Sequence, residues 1–172
     1  MHVRSLALLL CMTIANAVSA QSSGLDGRCS AHGGDAHPCL VPLARNAGSI
    51  RLPPRTSIGP LGKNPNGKEF VLEDSTVMQV WVTDYPADGF AASGQRFRPD
   101  SMSRRDTTVA GRPAMLVTLK LVPSEGAPTF VGSLFVTVDS ARTINVTVST
   151  ATSASRDRTL HWAAGQLILP RS

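Results

Sequence analysis

Between Thr76 and Tyr85 the chain reads TVMQVWVTDY, and its side chains alternate: Val77, Gln79 and Trp81 fall on one face of an extended strand, Met78, Val80 and Val82 on the other. A period of two in β-branched and aromatic residues predicts a strand with one face buried, and the aliphatic face is the one that suits a core. EFVLED at 69–74 predicts a neighbouring strand. RPAMLVTLKLV (112–122), PTFVGSLFVTVD (128–139) and RTINVTVST (142–150) predict three more, separated by PSEGA and by a tight Asp139-Ser140-Ala141 link. Links this short join antiparallel neighbours, so the three form a meander. In the last of them Ile144, Val146 and Val148 alternate with Thr143, Asn145, Thr147 and Ser149. One face is therefore expected to be buried, the other wet or covered by polar contacts.

The period then changes. In SASRDRTLHWAAGQLIL (153–169), Leu160, Ala163, Ala164, Leu167 and Ile168 recur at helical spacing, with Ser153 or Ser155 placed to cap and Pro170 to stop the helix. A helix laid over one face of an antiparallel sheet is an α+β domain. The remaining segments are less regular. Residues 21–48 are small, polar and Gly-rich, which suits an extended arm. IRLPPRTSIGPLGKNPNGKEF (50–70) is crowded with turn signals and predicts at most a short edge strand. PADGFAASGQRF (86–97) predicts a helical turn or two around Phe90 and Ala91, weakened by Gly89 and Gly94.

The first twenty residues change the picture of where the chain works. His2 and Arg4 form a short basic start, SLALLLCMTIANA is apolar but too short for a stable span, and small residues offer cleavage after Ala17 or after Ala20. This is the pattern of a secretory signal peptide. The expected organisation is a signal peptide over 1–20, an N-terminal arm over 21–49 and one α+β domain over 50–172, with a periplasmic or secreted location in a bacterium. About 150 residues remain after cleavage, enough for one domain with its own core.

Charge narrows the partners. The chain has 17 basic and 12 acidic residues, a net charge of +5, of which the leader takes only Arg4. Arg96, Arg98, Arg104 and Arg105 are the one local basic grouping, interrupted by Asp100 and Asp106. A nucleic-acid footprint needs a broader stripe or a recognised module, so none is expected, and no later segment is long and apolar enough for a membrane-spanning helix.

RCSAHGGDAHPC (28–39) is the most chemically loaded stretch. With Cys11 lost in the leader, Cys29 and Cys39 remain as an even pair in an exported chain, where a disulfide stapling the arm is expected. The alternative is a zinc site of Cys29, His32, His37 and Cys39, a sensible tetrahedral donor set. Its C-x2-H-x4-H-x-C spacing matches no common pattern, and Pro38 constrains His37 against Cys39. A redox dithiol lacks the close spacing and following helix that stabilise a thiolate.

Other catalytic constellations are thin. The remaining histidines are His32, His37 and His161, no G-x-S-x-G elbow is present, and His161 beside Trp162 suits a helix surface better than a general base. Glu73 and Asp74 point to opposite faces of a strand end, while Asp84 and Asp88 suit turns around Pro86. GKNPNGK (62–68) mixes glycine and lysine but lacks the phosphate-loop pattern. Neither catalytic residues nor a cofactor are expected. What remains is a surface: Trp81, Tyr85, Phe90 and Phe97 with Arg96, Arg98, Arg104 and Arg105 combine the residue types enriched in interface hot spots.

TVAGRPAMLVTLKL, followed by FVGSLFVTVDSARTINVTVST and the terminal amphipathic helix, resembles small exported bacterial proteins of the PsbP-like α/β/α sandwich type. The resemblance falls on the turn and strand opening at Gly111, Pro113 and Ala114, the strands over 115–149 and the helix near 154–168. It implies non-catalytic binding or accessory roles, including assembly factors and periplasmic immunity proteins. The expected function is thus an exported, non-enzymatic binding protein, such as an immunity or inhibitor protein or an assembly accessory protein, acting on another envelope or secreted protein, with a homo-oligomer left open. An envelope structural or small-ligand carrier role is the alternative, which a deep apolar pocket would favour. A secreted hydrolase or a zinc-binding protein stands behind both.

Overall fold

The computed structural model describes residues 27–28, 38–85, 102–122 and 126–171. The leader, the helical turn expected within 86–97, and Cys29, His32, His37, Phe90, Arg96, Phe97 and Arg98 lie outside these residues.

Besides a 3-10 turn at Ala44–Asn46, eleven strands and one α-helix are described. They are β1 (Gly27–Arg28), β2 (Cys39–Pro42), β3 (Ser49–Leu52), β4 (Ser57–Leu61), β5 (Asn64–Val71), β6 (Val77–Thr83), β7 (Met102–Val109), β8 (Arg112–Leu121), β9 (Thr129–Thr137), β10 (Thr143–Thr150), α1 (Ser153–Gln166) and β11 (Leu167–Ile168). The large sheet runs β1-β4-β5-β6-β10-β9-β8-β7, a small one β11-β3-β2, and every pairing is antiparallel. The expected α+β class and the β8–β9–β10 meander are both present.

Alternation decides which face is buried. Met78, Val80 and Val82 of β6 sit beside Val148, Val146 and Ile144 of β10, which in turn sit beside Gly132, Leu134 and Val136 of β9. All of these aliphatic side chains are buried. This face is covered by α1 and by the small sheet, whose Val41, Ile50, Leu52 and Leu167 join the same core as Leu160 and Ala163 of the helix. Cys39–Ser49, expected to belong to the extended N-terminal arm, thus supplies a paired strand and the buried Val41, Leu43 and Ala47.

The opposite face carries the expected polar ladder. Thr143 and Asn145 are buried there; Thr143 Oγ1 donates to the Tyr85 carbonyl at 2.9 Å, and the Ser133 and Thr147 hydroxyls share a bond of 2.7 Å. Met115 and Phe135 form a second small buried cluster on this face.

Three local expectations, the turn-rich stretch, the helix end and its cap, needed correction, and one strand had no sequence expectation. The turn-rich stretch before Phe70 is a regular hairpin: Gly62 and Lys63 turn the chain, and pairing runs from Ser57↔Val71 to Leu61↔Asn64 with a bulge at Pro60/Leu61. Proline lacks the N–H of a ladder, and a bulge is where a strand tolerates it. Residues 102–109, polar and charged, form the strand β7, because an edge strand needs no apolar alternation when neither face is covered. The helix ends at Gln166, and Leu167–Ile168 pair with Ser49–Ile50 instead. Thr152, outside the helix, is its cap, accepting from the Ser155 N–H at 3.2 Å.

Candidate functional site

The helix α1 packs on β9 and β10, in the middle of the large sheet. Its position is set by Gly132 of β9: a Cβ there would come within 2.5 Å of Leu160 Cδ1 and 2.9 Å of Arg156 Cδ. The leucine and the arginine stem thus lie directly on bare backbone. β8 and β7 extend beyond the helix; Val109 and Ala114 near their shared turn stay in the core, while Ser103–Thr108 of β7 are exposed.

The result is a groove of about 780 Å³ between α1 and the β7–β8 hairpin. Register places its floor. Arg105 sits beside Leu116, which sits beside Leu134; Ser103 sits beside Thr118, which sits beside Gly132. Leu116, Leu134 and Leu160 make the base apolar, while Ser103, Arg105 and Thr107 form one wall and Arg156, Asp157 and His161 the other. The hairpin closing the groove is a two-residue turn, Ala110 and Gly111, both with positive φ (49° and 77°), the backbone that joins tightly twisted antiparallel strands.

The walls are cationic on balance. Arg156, its side chain only 12% exposed, is paired with Asp157, Nε donating to Oδ1 at 2.8 Å. Arg105 and His161 are exposed and have no ion-pair or hydrogen-bond partner among the described residues. An anionic group entering the groove meets these two side chains, unpaired among the described residues, above an apolar floor.

The surface residues expected from sequence divide between the two faces. Trp81 is half-buried over Gly67, where a Cβ would come within 3.1 Å of the Trp81 Cβ and 2.7 Å of Leu61 Cδ2; it fills space between β5 and β6. Tyr85 is 44% exposed just past the end of β6. Arg104 shares the face of Trp81, four strands away, and lies 3.7 Å from Asp106. Four strand spacings are roughly 19 Å, so Trp81 and Arg104 do not touch. Arg105 alone of the described set lines the groove. The groove's other polar residues, Arg156, Asp157 and His161, were not singled out as a binding surface; their spacing along α1 is the only signal for them, since it puts residues 157 and 161 one turn apart on one side of the helix.

Of the cysteine-rich stretch, Cys39 is described, half-buried at the start of β2 and paired in register with Leu52. Among the described residues no three His, Cys, Asp or Glu side chains come together as a metal site, and no helix is long and apolar enough to cross a membrane.

No protein-family model matches the chain, and no curated protein matches it. A solved structure does: the solution structure of cyanobacterial PsbP (CyanoP) from Synechocystis sp. PCC 6803 is similar at a TM-score of 0.58 and 12% identity, covering 82% of this chain and 98% of that one. At that identity the likeness speaks to architecture, and the large antiparallel sheet with its C-terminal helix is a PsbP-like α+β fold.

Proposed function

We propose that the protein is an exported, non-catalytic binding protein that acts by contact with another envelope or secreted protein, and that the groove between α1 and the β7–β8 hairpin is the contact surface. The leader-like first twenty residues support export. The observation that carries the binding role is the groove itself: an apolar floor of Leu116, Leu134 and Leu160 rimmed by exposed Arg105 and His161, which have no partner among the described residues. Apolar centre and polar rim are the anatomy of a protein interface. Immunity or inhibition of a toxin and assistance in envelope assembly are the two roles this surface suits. A carrier of a small ligand is the second reading, because about 780 Å³ also falls within the size of small-molecule pockets.

The test is recovery of partners by the mature, oxidised protein from envelope and secreted fractions of its own organism, comparing wild type with Arg105→Glu and with Glu73→Ala, a change at an exposed site off the groove. A protein partner lost with Arg105→Glu and kept with Glu73→Ala supports the reading. Recovery unchanged by Arg105→Glu overturns the choice of surface, and co-purification of a small molecule in place of a protein supports the carrier.

A further inference from the structure

The large sheet ends in two very different edges. At one, the described part of β1 is two residues long. At the other, β7 has eight, paired with β8 without a register shift from Met102↔Leu119 to Val109↔Arg112. No strand pairs with its outer side among the described residues. Side chains alternate between the faces of a strand, yet every residue from Ser103 to Thr108 is exposed. Among the described residues β7 is therefore open on both faces from Ser103 to Thr108 and has no strand along its outer edge.

The two faces differ in charge. On the groove side stand Ser103, Arg105 and Thr107, with Arg105 unpaired and His161 across the groove. On the other side Arg104 lies near Asp106 and their charges offset. A charged edge repels an apolar strand of another chain, and the same charges select one whose own charges are opposite.

Resting on the binding role above, we infer that β7 receives an extended segment of the partner as an added strand, with acidic side chains at alternate positions pointing into the groove. Main-chain hydrogen bonds along β7 supply the affinity common to such strand addition, and the alternate side chains supply the choice of partner. An acidic residue beside Arg105 on the added strand lies over the groove, within the field of His161. The next residue falls beside Arg104 and Asp106, where a small or β-branched neutral side chain suits the balanced charge. Two β7 strands related by a two-fold axis centred on residue 105 set Arg104 against Asp106 but Arg105 against Arg105, so a second copy leaves unmatched the groove-side cation that an acidic segment meets.

The probe is an eight-residue peptide of alternating glutamate and valine, matched in length to β7. Its partners are the same peptide with lysine for glutamate and the glutamate peptide N-methylated along its hydrogen-bonding edge. Amide hydrogen exchange is read by NMR on the full mature protein. The expected result is that the glutamate peptide slows exchange of alternate amides between Ser103 and Thr108 by about tenfold or more, and that neither control does. Three results overturn the inference: no binding of the glutamate peptide; shifts at His161 and Arg156 with exchange along β7 unchanged; or β7 protection that rises with protein concentration without peptide, which assigns the edge to a second copy. The second result leaves the groove as a contact surface, and partner recovery with Arg105→Glu judges that role separately.

Discussion

Leu160 of the helix rests on Gly132 of the sheet, its Cδ1 occupying the space 2.5 Å from where a side chain on the glycine would begin. This one contact sets how closely α1 approaches β9, and so how far β8 and β7 stand clear of the helix. Gly132→Ala asks the Leu160 tip and the Arg156 stem to move, at about 1 kcal/mol, whereas Gly132→Val pushes the helix itself and costs up to about 3 kcal/mol, the range for overpacking. Urea unfolding of the two variants checks the order. A Val variant as stable as wild type would mean that α1 slides freely on the sheet.

A second expectation concerns Asn145, buried in the centre of β10. Its Nδ2 donates to Thr83 Oγ1, the Thr143 carbonyl and the Trp81 carbonyl at 3.3–3.5 Å, all long, and its Oδ1 has no partner. Asn145→Asp places a carboxylate where Oδ1 finds no donor among the described residues, so burial raises its pKa in the folded state. A raised carboxyl pKa makes the folded protein bind more protons than the unfolded chain, and stability falls as pH rises through the carboxylate range. The variant is expected to lose more than about 2 kcal/mol at neutral pH and to recover part of it on acidification. Thermal melts from pH 4 to 7, read against wild type, show this as a gap that widens with pH.

Much of this architecture is legible in the chain because alternation and burial agree. β6, β8, β9 and β10 are where a period of two in Val, Ile, Leu and Met meets a covered face, and their expected bounds fall within a few residues of those observed. β7 is the counterexample. MSRRDTTV has no apolar alternation because neither of its faces is covered, so the feature that makes it a docking edge also hides it from a pattern based on burial. The same logic explains Arg104 and Arg105. They were grouped as one basic patch, but adjacent residues of a strand face opposite ways, and only the fold shows that 102–109 is a strand. His161 and Arg156 come to the groove through the packing of α1 on Gly132, a tertiary contact that their spacing along the helix does not specify.

The turn between β9 and β10 has a pH dependence of the opposite sign. Asp139 Oδ2 accepts from Arg142 Nε at 2.7 Å, and its Oδ1 accepts from the backbone N–H groups of Arg142 and Ala141 at 2.8 and 3.0 Å. Arg142 reaches on to the carbonyl of Arg45, whose own side chain pairs with Asp84. The Arg142 side-chain bond, helped by the Ala141 N–H, holds the Asp139 carboxyl below its ordinary 3.8. A depressed carboxyl pKa gives stability that is present above the unfolded value and lost as pH falls from there through the folded one. Asp139→Asn should therefore melt below wild type at neutral pH, with the gap closing below pH 3.8. A gap that persists unchanged in acid would assign the effect to turn geometry instead of charge.

The proposed Cys29–Cys39 disulfide has a specific structural consequence. Gly27 and Arg28 pair with Ile58 and Ser57 at the edge of the large sheet, and Cys39 opens β2 in the small one. A bridge between the residue that follows β1 and the residue that starts β2 would tie the two sheets together across a short loop. Loss of such a bridge costs roughly 2–3 kcal/mol on a chain-entropy basis. The expected mass of the mature protein is about two daltons below the reduced value, since each disulfide removes two hydrogens, with no bound metal. One zinc per chain with free thiols after denaturation would support the Cys29, His32, His37 and Cys39 site in its place.

Arg104 and Arg105 provide the sharpest separation of surface from sequence. They are neighbours in the chain and both exposed, so charge reversal at either leaves stability within about 0.5 kcal/mol, as is usual for surface positions. Their register differs: Arg105 stands beside Leu116 on the groove side, Arg104 beside Val117 on the face it shares with Trp81. Arg105→Glu removes the unpaired cation that an acidic strand would meet and is expected to weaken partner binding by at least about tenfold, the loss of roughly 1.4 kcal/mol. Arg104→Glu lies where Arg104 and Asp106 already offset each other and is expected to change affinity less than about twofold, or roughly 0.4 kcal/mol. Isothermal titration of both variants with the recovered partner, at two salt concentrations, measures the difference. Equal losses at the two positions would mean that the partner reads only the net charge of the edge, and that the groove has no part in choosing it.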